Sequence, residues 1–418
     1  MSPPRAAGAA GPSRRPNLFA GGGVATVGDD FTDRAAERKA LATALRTPKA
    51  HVLLVGPRRI GKTSLLLAVR ADLARAKPPQ PVLYVDLWSA STIEDVTTRL
   101  AQEAARVLGK SWPQVVKSLA TRLQLTLTFT PTPDGHLLPA PALGLRDAPA
   151  ADQRTRLESA LDVLNAQAKQ QGVHLGIILD EFQEIERVGR DAGDAPDAST
   201  VRQLRACIQH HAHVTYVFAG SDRALIEKLA APKHGPLHNL ARRYEIGPLP
   251  EEHFARWLED RFQRMQIAAP GCGSALIAMA GPRTRDVRTL AESAAELARE
   301  TGRLAVDDLE RALEAIIAER RPQYEAIWKE LTMLQQNCLR AVAHVGTGLT
   351  RRDVLDQFAL GAASRTTKSL AQLVERGLVQ RDDAGAYSFD DPFFRAWVVV
   401  TALPDVGLVL PASYRPVR

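Results

Sequence analysis

Eight consecutive residues, Gly56-Pro57-Arg58-Arg59-Ile60-Gly61-Lys62-Thr63, have the types and spacing of a loop that wraps phosphate. Glycine at Gly56 and Gly61 lets backbone N–H groups approach phosphate oxygens, and a following helix adds the positive end of its dipole. Lys62 is placed to pair with β- and γ-phosphate oxygens, and the Thr63 hydroxyl to meet a Mg²⁺ ion. The context fits, because the apolar run HVLLVG precedes the loop and SLLLAVRADLARA, a good helix beginning at Ser64, follows it. The chemistry implied is binding of ATP with Mg²⁺ by Gly56, Pro57, Arg58, Arg59, Ile60, Gly61, Lys62, Thr63 and Ser64.

A second run, Gly176-Ile177-Ile178-Leu179-Asp180-Glu181, delivers two acids at the end of an apolar strand. Paired with an upstream phosphate loop, Asp180 is expected to share the Mg²⁺ with Thr63, and Glu181 to polarise the attacking water as general base. Ala219-Gly220-Ser221-Asp222-Arg223 ends a further strand and makes Ser221 the candidate polar sensor, or else a helix N-cap. Arg242 and Arg243 open the next strand, where an arginine can reach a phosphate in cis, serve a neighbouring subunit in trans, or simply face solvent. In GPRTRDVRTLAE, Arg288, or Arg285 beside it, is placed to swing onto the nucleotide.

These groups need a scaffold that brings strand ends together. Short apolar runs recur at HVLLVG, PVLYVDL (81–87), HLGIILD (174–180), VTYVFAG (214–220) and RYEIGPL (243–249), separated by helical periodicity such as Leu157, Leu161, Leu164 and Ala168. That alternation predicts an α/β fold, a doubly wound and mainly parallel sheet, with ligands beyond the carboxyl ends of the strands. LTLTFTPTPDGHLLPAPALGL alternates with period two around Pro-Asp-Gly and predicts a β-hairpin insertion at about 123–146.

From about 252 the pattern becomes helical, with Phe254, Trp257, Leu258 and Phe262 on one face and a helix from Asp307 to Ala318. A helix striped by Ile327, Leu331, Leu334 and Cys338 follows, then Thr350 to Gln357, a helix from about Ser364 to Arg376, and the turn RDDAGAY between two short strands. That order predicts a winged helix-turn-helix. The expected organisation is a disordered tail at 1–16, a P-loop core at 17–250, a helical lid at 251–322, the winged helix at 323–400 and a tail at 401–418.

Bulk composition is that of an ordinary globular chain, with 45% hydrophobic and 24% charged residues among 418. No apolar run approaches the roughly 18 residues needed to cross a bilayer, and the Arg-containing start has no apolar signal core, so a cytoplasmic location without membrane contact is expected. Cys207, Cys272 and Cys338 are far apart and read as small buried apolar residues. The net charge of +7 permits a polyanionic partner, although the basic residues are spread along the whole chain.

Taken together the chain resembles the archaeal-type ATPases, P-loop proteins close to the STAND and origin-recognition branches of the AAA+ ATPases. The resemblance rests on Asn17-Leu18-Phe19, the Phe31, Arg34, Glu37 spacing, GPRRIGKTSL, LDEFQEI, FAGSD, RRYEIGPLP and DDPFFRAW, and spans about Pro16 to Trp397. It implies strand order 5-1-4-3-2, a winged helix after the lid, and a Phe31 to Glu37 segment against the adenine. Asp33 stands where the family usually has glycine. The nuclease-like extension of some relatives is not part of the pattern.

Core, lid and winged helix together predict a slow, regulatory ATPase switch whose nucleotide state governs homo-oligomerisation or docking of a protein effector. The alternative is a DNA-binding ATPase that uses Arg365, Thr366, Thr367, Lys368 and Arg376 on the second helix and Arg381 to Tyr387 in the wing. A degenerate nucleotide-binding fold without turnover is a separate, blander alternative compatible with either output.

Overall fold

The structure, a computed structural model, describes residues 16–21, 31–109, 112, 114–115, 117–119, 127–131, 137–141, 150–188, 199–221, 229–231, 235–382 and 384–404. They fall into two compact units, one within Ala25–Pro248 and one within Met1–Val24 and Leu249–Arg418.

In the first unit the apolar runs become β1 (Val52–Val55), β2 (Val82–Asp86), β5 (Leu175–Asp180), β6 (Val214–Gly220) and β7 (Arg242–Glu245), with β3 (Leu127–Pro131) and β4 (Leu137–Pro141) between the second and third. The five form one sheet in the order β2-β5-β6-β1-β7, and every pairing within it is parallel. Counted without β3 and β4, this is the expected order 5-1-4-3-2 read from the other edge.

Helices cover both faces, which is why β1, β5 and β6 are buried at every position rather than at alternate ones. Val52, Leu54, Ile178, Val217 and Ala219 pack with Leu41 and Leu45 of helix Ala35–Arg46 and Leu65, Leu66 and Val69 of helix Lys62–Arg75. On the other face Leu53, Val55, Ile177, Leu179, Tyr216 and Phe218 meet helices Ile93–Leu108, Ala150–Gln170 and Thr200–Ile208. Leu157, Leu161, Leu164 and Ala168 are all buried there, the stripe read from their spacing.

β3 and β4 pair antiparallel from Leu127↔Pro141 to Pro131↔Leu137. The remainder of the segment expected at 123–146, its Pro-Asp-Gly turn included, lies outside the described residues, as do residues 1–15 and 405–418 of the two expected tails.

The second unit begins with helices Glu251–Arg264, Cys272–Ala280, Thr284–Ala298 and Asp308–Lys329. Asn17-Leu18-Phe19 was expected with the core but packs here. Phe19 is fully buried 4.9 Å from the Phe262 ring, and the Asn17 amide donates to the Glu292 carbonyl. An apolar ring next to a helix face rich in aromatics explains the difference.

The stripe Ile327, Leu331, Leu334 and Cys338 also proves to be two helices. Asp308–Lys329 ends before Leu331, and Met333–His344 starts afresh at Thr332, whose hydroxyl accepts from the Gln335 N–H while the Gln335 side chain accepts from the Thr332 N–H. The first of these helices also runs through Pro322, across the boundary expected between lid and winged helix.

Arg352–Gln357, Ala363–Glu375, an antiparallel pair of β8 (Val379–Arg381) and β9 (Tyr387–Phe389), and Pro392–Trp397 complete the winged helix. Its core extends past Trp397 to Ala402 and Leu403, both buried, so it reaches into the segment expected as tail.

Cys272 and Cys338 are buried as expected, but Cys207 is only half-buried and lies against Asp162 and His211. Among the described residues no helix is long and apolar enough to cross a membrane.

Candidate functional site

Because all five strands run in parallel, the segments leaving their carboxyl ends meet along one edge. β1 leads into Gly56, where an added Cβ would stand 2.8 Å from both the side chain and the carbonyl of Ile246. Only glycine fits there. Gly61, at φ 98°, turns the chain into helix Lys62–Arg75.

The loop is braced from behind by Arg34, which is 4% exposed. Its guanidinium donates to the carbonyls of Ile60 (3.1 Å) and Gly247 (2.7 Å) and pairs with Glu37 (3.1 Å). Asp33 and Arg34 both adopt left-handed backbone, φ 57° and 63°. Asp tolerates that region better than most residues, so Asp33 preserves the conformation glycine would supply. Arg34 thus acts as a strut for the loop.

Lys62 is buried, and its ammonium donates to the carbonyls of Gly56 (2.8 Å) and Pro57 (2.9 Å). Burial lowers its pKa, and the charges of Glu181 and Asp180 oppose that shift. Arg58 lies at the surface with its guanidinium 5.4 Å from the ring centroid of Trp88, which is itself exposed.

Asp180 is 1% exposed and fully engaged. One carboxylate oxygen accepts from the Thr63 hydroxyl (2.7 Å) and the Tyr84 hydroxyl (2.9 Å), the other from the Glu181 N–H (3.0 Å). Burial pushes its pKa up while the Thr63 and Tyr84 hydrogen bonds pull it down. Burial and the neighbouring Asp180 charge raise the Tyr84 pKa, which keeps that phenol protonated as a donor.

Glu181 adopts φ 52°, a left-handed turn at the strand end. Its carboxylate accepts from the Ser221 hydroxyl (2.7 Å) and from the Gln183 amide, and Gln183 in turn accepts from the Ser221 N–H (3.3 Å). A non-glycine residue held this way costs on the order of 1 kcal/mol or more, so the surrounding bonds must fix it.

Phosphate loop, both acids and Ser221 are therefore brought together. The two arginines of β7 are not. Register pairs Arg242 with Val52 and Arg243 with Leu53, toward the amino ends of the strands, about 13 Å and about 10 Å of strand rise from Gly56 respectively. This corrects the expectation that either reaches a phosphate held by its own loop. Both are exposed, and Arg243 pairs with Glu245 (3.3 Å). Arg288 belongs to the second unit, where it is 5% exposed and donates to the Phe19 carbonyl (3.4 Å).

On the winged helix, Arg365, Thr367 and Lys368 are exposed. Thr366 is not available as expected, because it is fully buried with its hydroxyl donating to the Leu360 carbonyl. Arg376 pairs with Glu330 (2.9 Å).

Two residues of the site went unread in the sequence. Tyr84 is the single phenol among the apolar residues before Asp86 in β2, and Gln183 lies inside LDEFQ, so each carried a signal of residue type but no indication of its partner.

The donor set fits the ligands implied. A hydroxyl and a carboxylate 2.7 Å apart are hard oxygen donors of the kind Mg²⁺ takes, and the loop before them tolerates no side chain at Gly56.

Residues 31–275 match the family model described as an ATPase domain predominantly from Archaea, and residues 322–399 match a probable winged helix domain. No curated protein matches. Among solved structures the chain is similar to a Walker-type ATPase of Pyrococcus abyssi, Paby2304, at 17% identity and TM-score 0.59, covering 91% of this chain and 99% of that one. It also matches the Aeropyrum pernix ORC2 protein in its ADPNP–ADP complexes, at 16% identity and TM-score 0.46, covering 91% of this chain and 98% of that one. The ADP form of that protein matches at 16% identity and TM-score 0.49, covering 93% and 97%.

Proposed function

We propose, from the premise that this chain belongs to the family of ATPase domains found predominantly in Archaea, that it binds ATP with Mg²⁺ and hydrolyses it slowly as a molecular switch. The observation that carries this reading is the orientation of Glu181, whose carboxylate is held by Ser221 and Gln183 while Asp180 is separately engaged by Thr63 and Tyr84. Two adjacent acids thus have two different jobs.

Glu181 takes the proton of the attacking water, whose oxygen bonds to the γ-phosphorus as the bond to the bridging oxygen breaks and ADP leaves. Ser221 and Gln183 keep that carboxylate aimed. Lys62 balances phosphate charge, and backbone N–H groups of the loop from Arg58 to Thr63 hold the phosphate oxygens in place. Thr63 and Asp180 would hold Mg²⁺, which supplies neutralisation of the charge on the phosphates when bound.

Steady-state phosphate release tests turnover. Glu181→Gln is expected to fall by about 100-fold or more, the usual worth of a positioned general base, and equal rates from variant and wild type would exclude catalysis. Lys62→Ala is expected to remove the melting shift that ATP produces, and a retained shift would contradict the site.

For the output we favour coupling to further copies of the chain or to a protein effector. Arg242 and Arg243 are exposed on the edge strand β7, which suits a role at a neighbouring subunit better than one in cis. The DNA reading keeps support from Arg365, Thr367 and Lys368 on helix Ala363–Glu375. Retarded migration of short duplex DNA at low salt, lost as salt rises, would overturn the protein-only output.

A further inference from the structure

We propose that Asp162, Cys207 and His211 form a second cation site, one that takes Zn²⁺ or a similar transition-metal ion and is separate from the nucleotide site. Cys207 is in the last turn of helix Thr200–Ile208, and His211 follows one turn later, its N–H donating to the Ile208 carbonyl (2.9 Å). A spacing of four along a helical path puts both side chains on one side. Asp162 faces them from helix Ala150–Gln170.

The donor atoms converge on a single point. Cys207 Sγ is 3.4 Å from Asp162 Oδ1 and 3.5 Å from His211 Nε2, and that nitrogen is 2.9 Å from the same carboxylate oxygen. A tetrahedral Zn²⁺ with bonds of about 2.3 Å to sulfur and about 2.0 Å to nitrogen and oxygen needs its ligands roughly 3.3–3.5 Å apart. Two of the three distances already meet that, and the nitrogen–oxygen pair needs to open by about 0.4 Å.

The histidine is also oriented. Its side chain is 2% exposed, and Nδ1 lies 2.7 Å from the hydroxyl of the fully buried Tyr216, which fixes the ring with Nε2 facing the thiol and the carboxylate. An outer partner on the second nitrogen is the usual companion of a metal-binding imidazole. Asp162 is 60% exposed, so the fourth position opens to solvent. On binding, the thiol proton of Cys207 leaves to solvent and the thiolate sulfur becomes a ligand. Tyr216 on β6 is five residues before Ser221, which directly follows that strand, about 16 Å of strand rise, so the two sites lie at opposite ends of one strand.

Titration of metal-stripped, reduced full-length chain with Co²⁺ tests the site. One equivalent is expected to bring up a thiolate-to-cobalt charge-transfer band that Zn²⁺ displaces. Cys207→Ser should abolish it, whereas Asp180→Asn, at the phosphate loop, should leave it intact. Absence of the band at saturating Co²⁺ would mean that the triad is only hydrogen-bonded. A band surviving in Cys207→Ser would assign it to another thiol, and either result overturns the proposal. Asp162→Asn changes an exposed side chain and provides a second readout: Zn²⁺ affinity measured by chelator competition should weaken by about 10-fold or more, and unchanged affinity would also refute the site.

Discussion

At the scale of single residues, the phosphate loop and the two acids were legible because each is a contiguous string whose chemistry depends on its own order. Tyr84 was not, since its partner is 96 positions away and meets it only through the pairing of β2 with β5. No local spacing encodes that contact. Yet the phenol changes what Asp180 is: a carboxylate 1% exposed is pushed toward protonation, and the Thr63 and Tyr84 hydroxyls, together with the Glu181 N–H, oppose the shift. Removing one of them should cost metal binding more than nucleotide positioning. In Tyr84→Phe we expect the Mg²⁺ concentration for half-maximal phosphate release to rise about 10-fold, the lower end for loss of an outer partner, with the ATP-dependent melting shift at saturating Mg²⁺ unchanged. An unaltered Mg²⁺ dependence would reduce Tyr84 to packing.

Elements were read well where one face is buried and poorly where a cap interrupts a continuous apolar spacing. Ile327, Leu331, Leu334 and Cys338 keep helical intervals across a break because both helices bury their apolar sides in the same core. Periodicity reports burial, not continuity. The break was nonetheless written as Thr332-x-x-Gln335, a capping box that satisfies N–H groups at the new helix start. Since the box specifies where helix Met333–His344 begins, Thr332→Ala is expected to destabilise the second unit by about 1 kcal/mol. Urea unfolding followed by tryptophan fluorescence, with Trp257, Trp328 and Trp397 all in that unit, measures it. Thr332→Ser should retain most of the stability, and equal losses in both variants would assign the effect to the threonine methyl group instead.

For the molecule as a whole, the parallel sheet has two chemically different ends, and only one was read from the sequence. Carboxyl ends were legible through their motifs, and the strand order through the resemblance. At the amino ends stand His51, His174, His211 and His213, placed there by strands that enter the sheet in the same direction but unmarked by any motif. The Nδ1 of His51 accepts from the Tyr216 N–H (3.1 Å), an arrangement that protonation breaks. Burial, then the proximity of His211, His174 and Lys49, lowers its pKa from 6.5 to about 4. Burial lowers those of His174 and His211 as well, with Asp162 opposing the shift at His211. The sign follows from proton counting. Between pH 6.5 and about 4 the unfolded chain binds a proton at His51 that the folded chain does not, so stability is lost as pH falls through that window, by at most roughly 3 kcal/mol for this one group. His51→Asn places an oxygen where Nδ1 accepts but cannot titrate. In chelator-containing buffer, the drop in urea midpoint of the sheet-bearing unit from about pH 7.5 to about pH 5 should be smaller for His51→Asn than for wild type, while an equal drop would move the acid sensitivity to other groups.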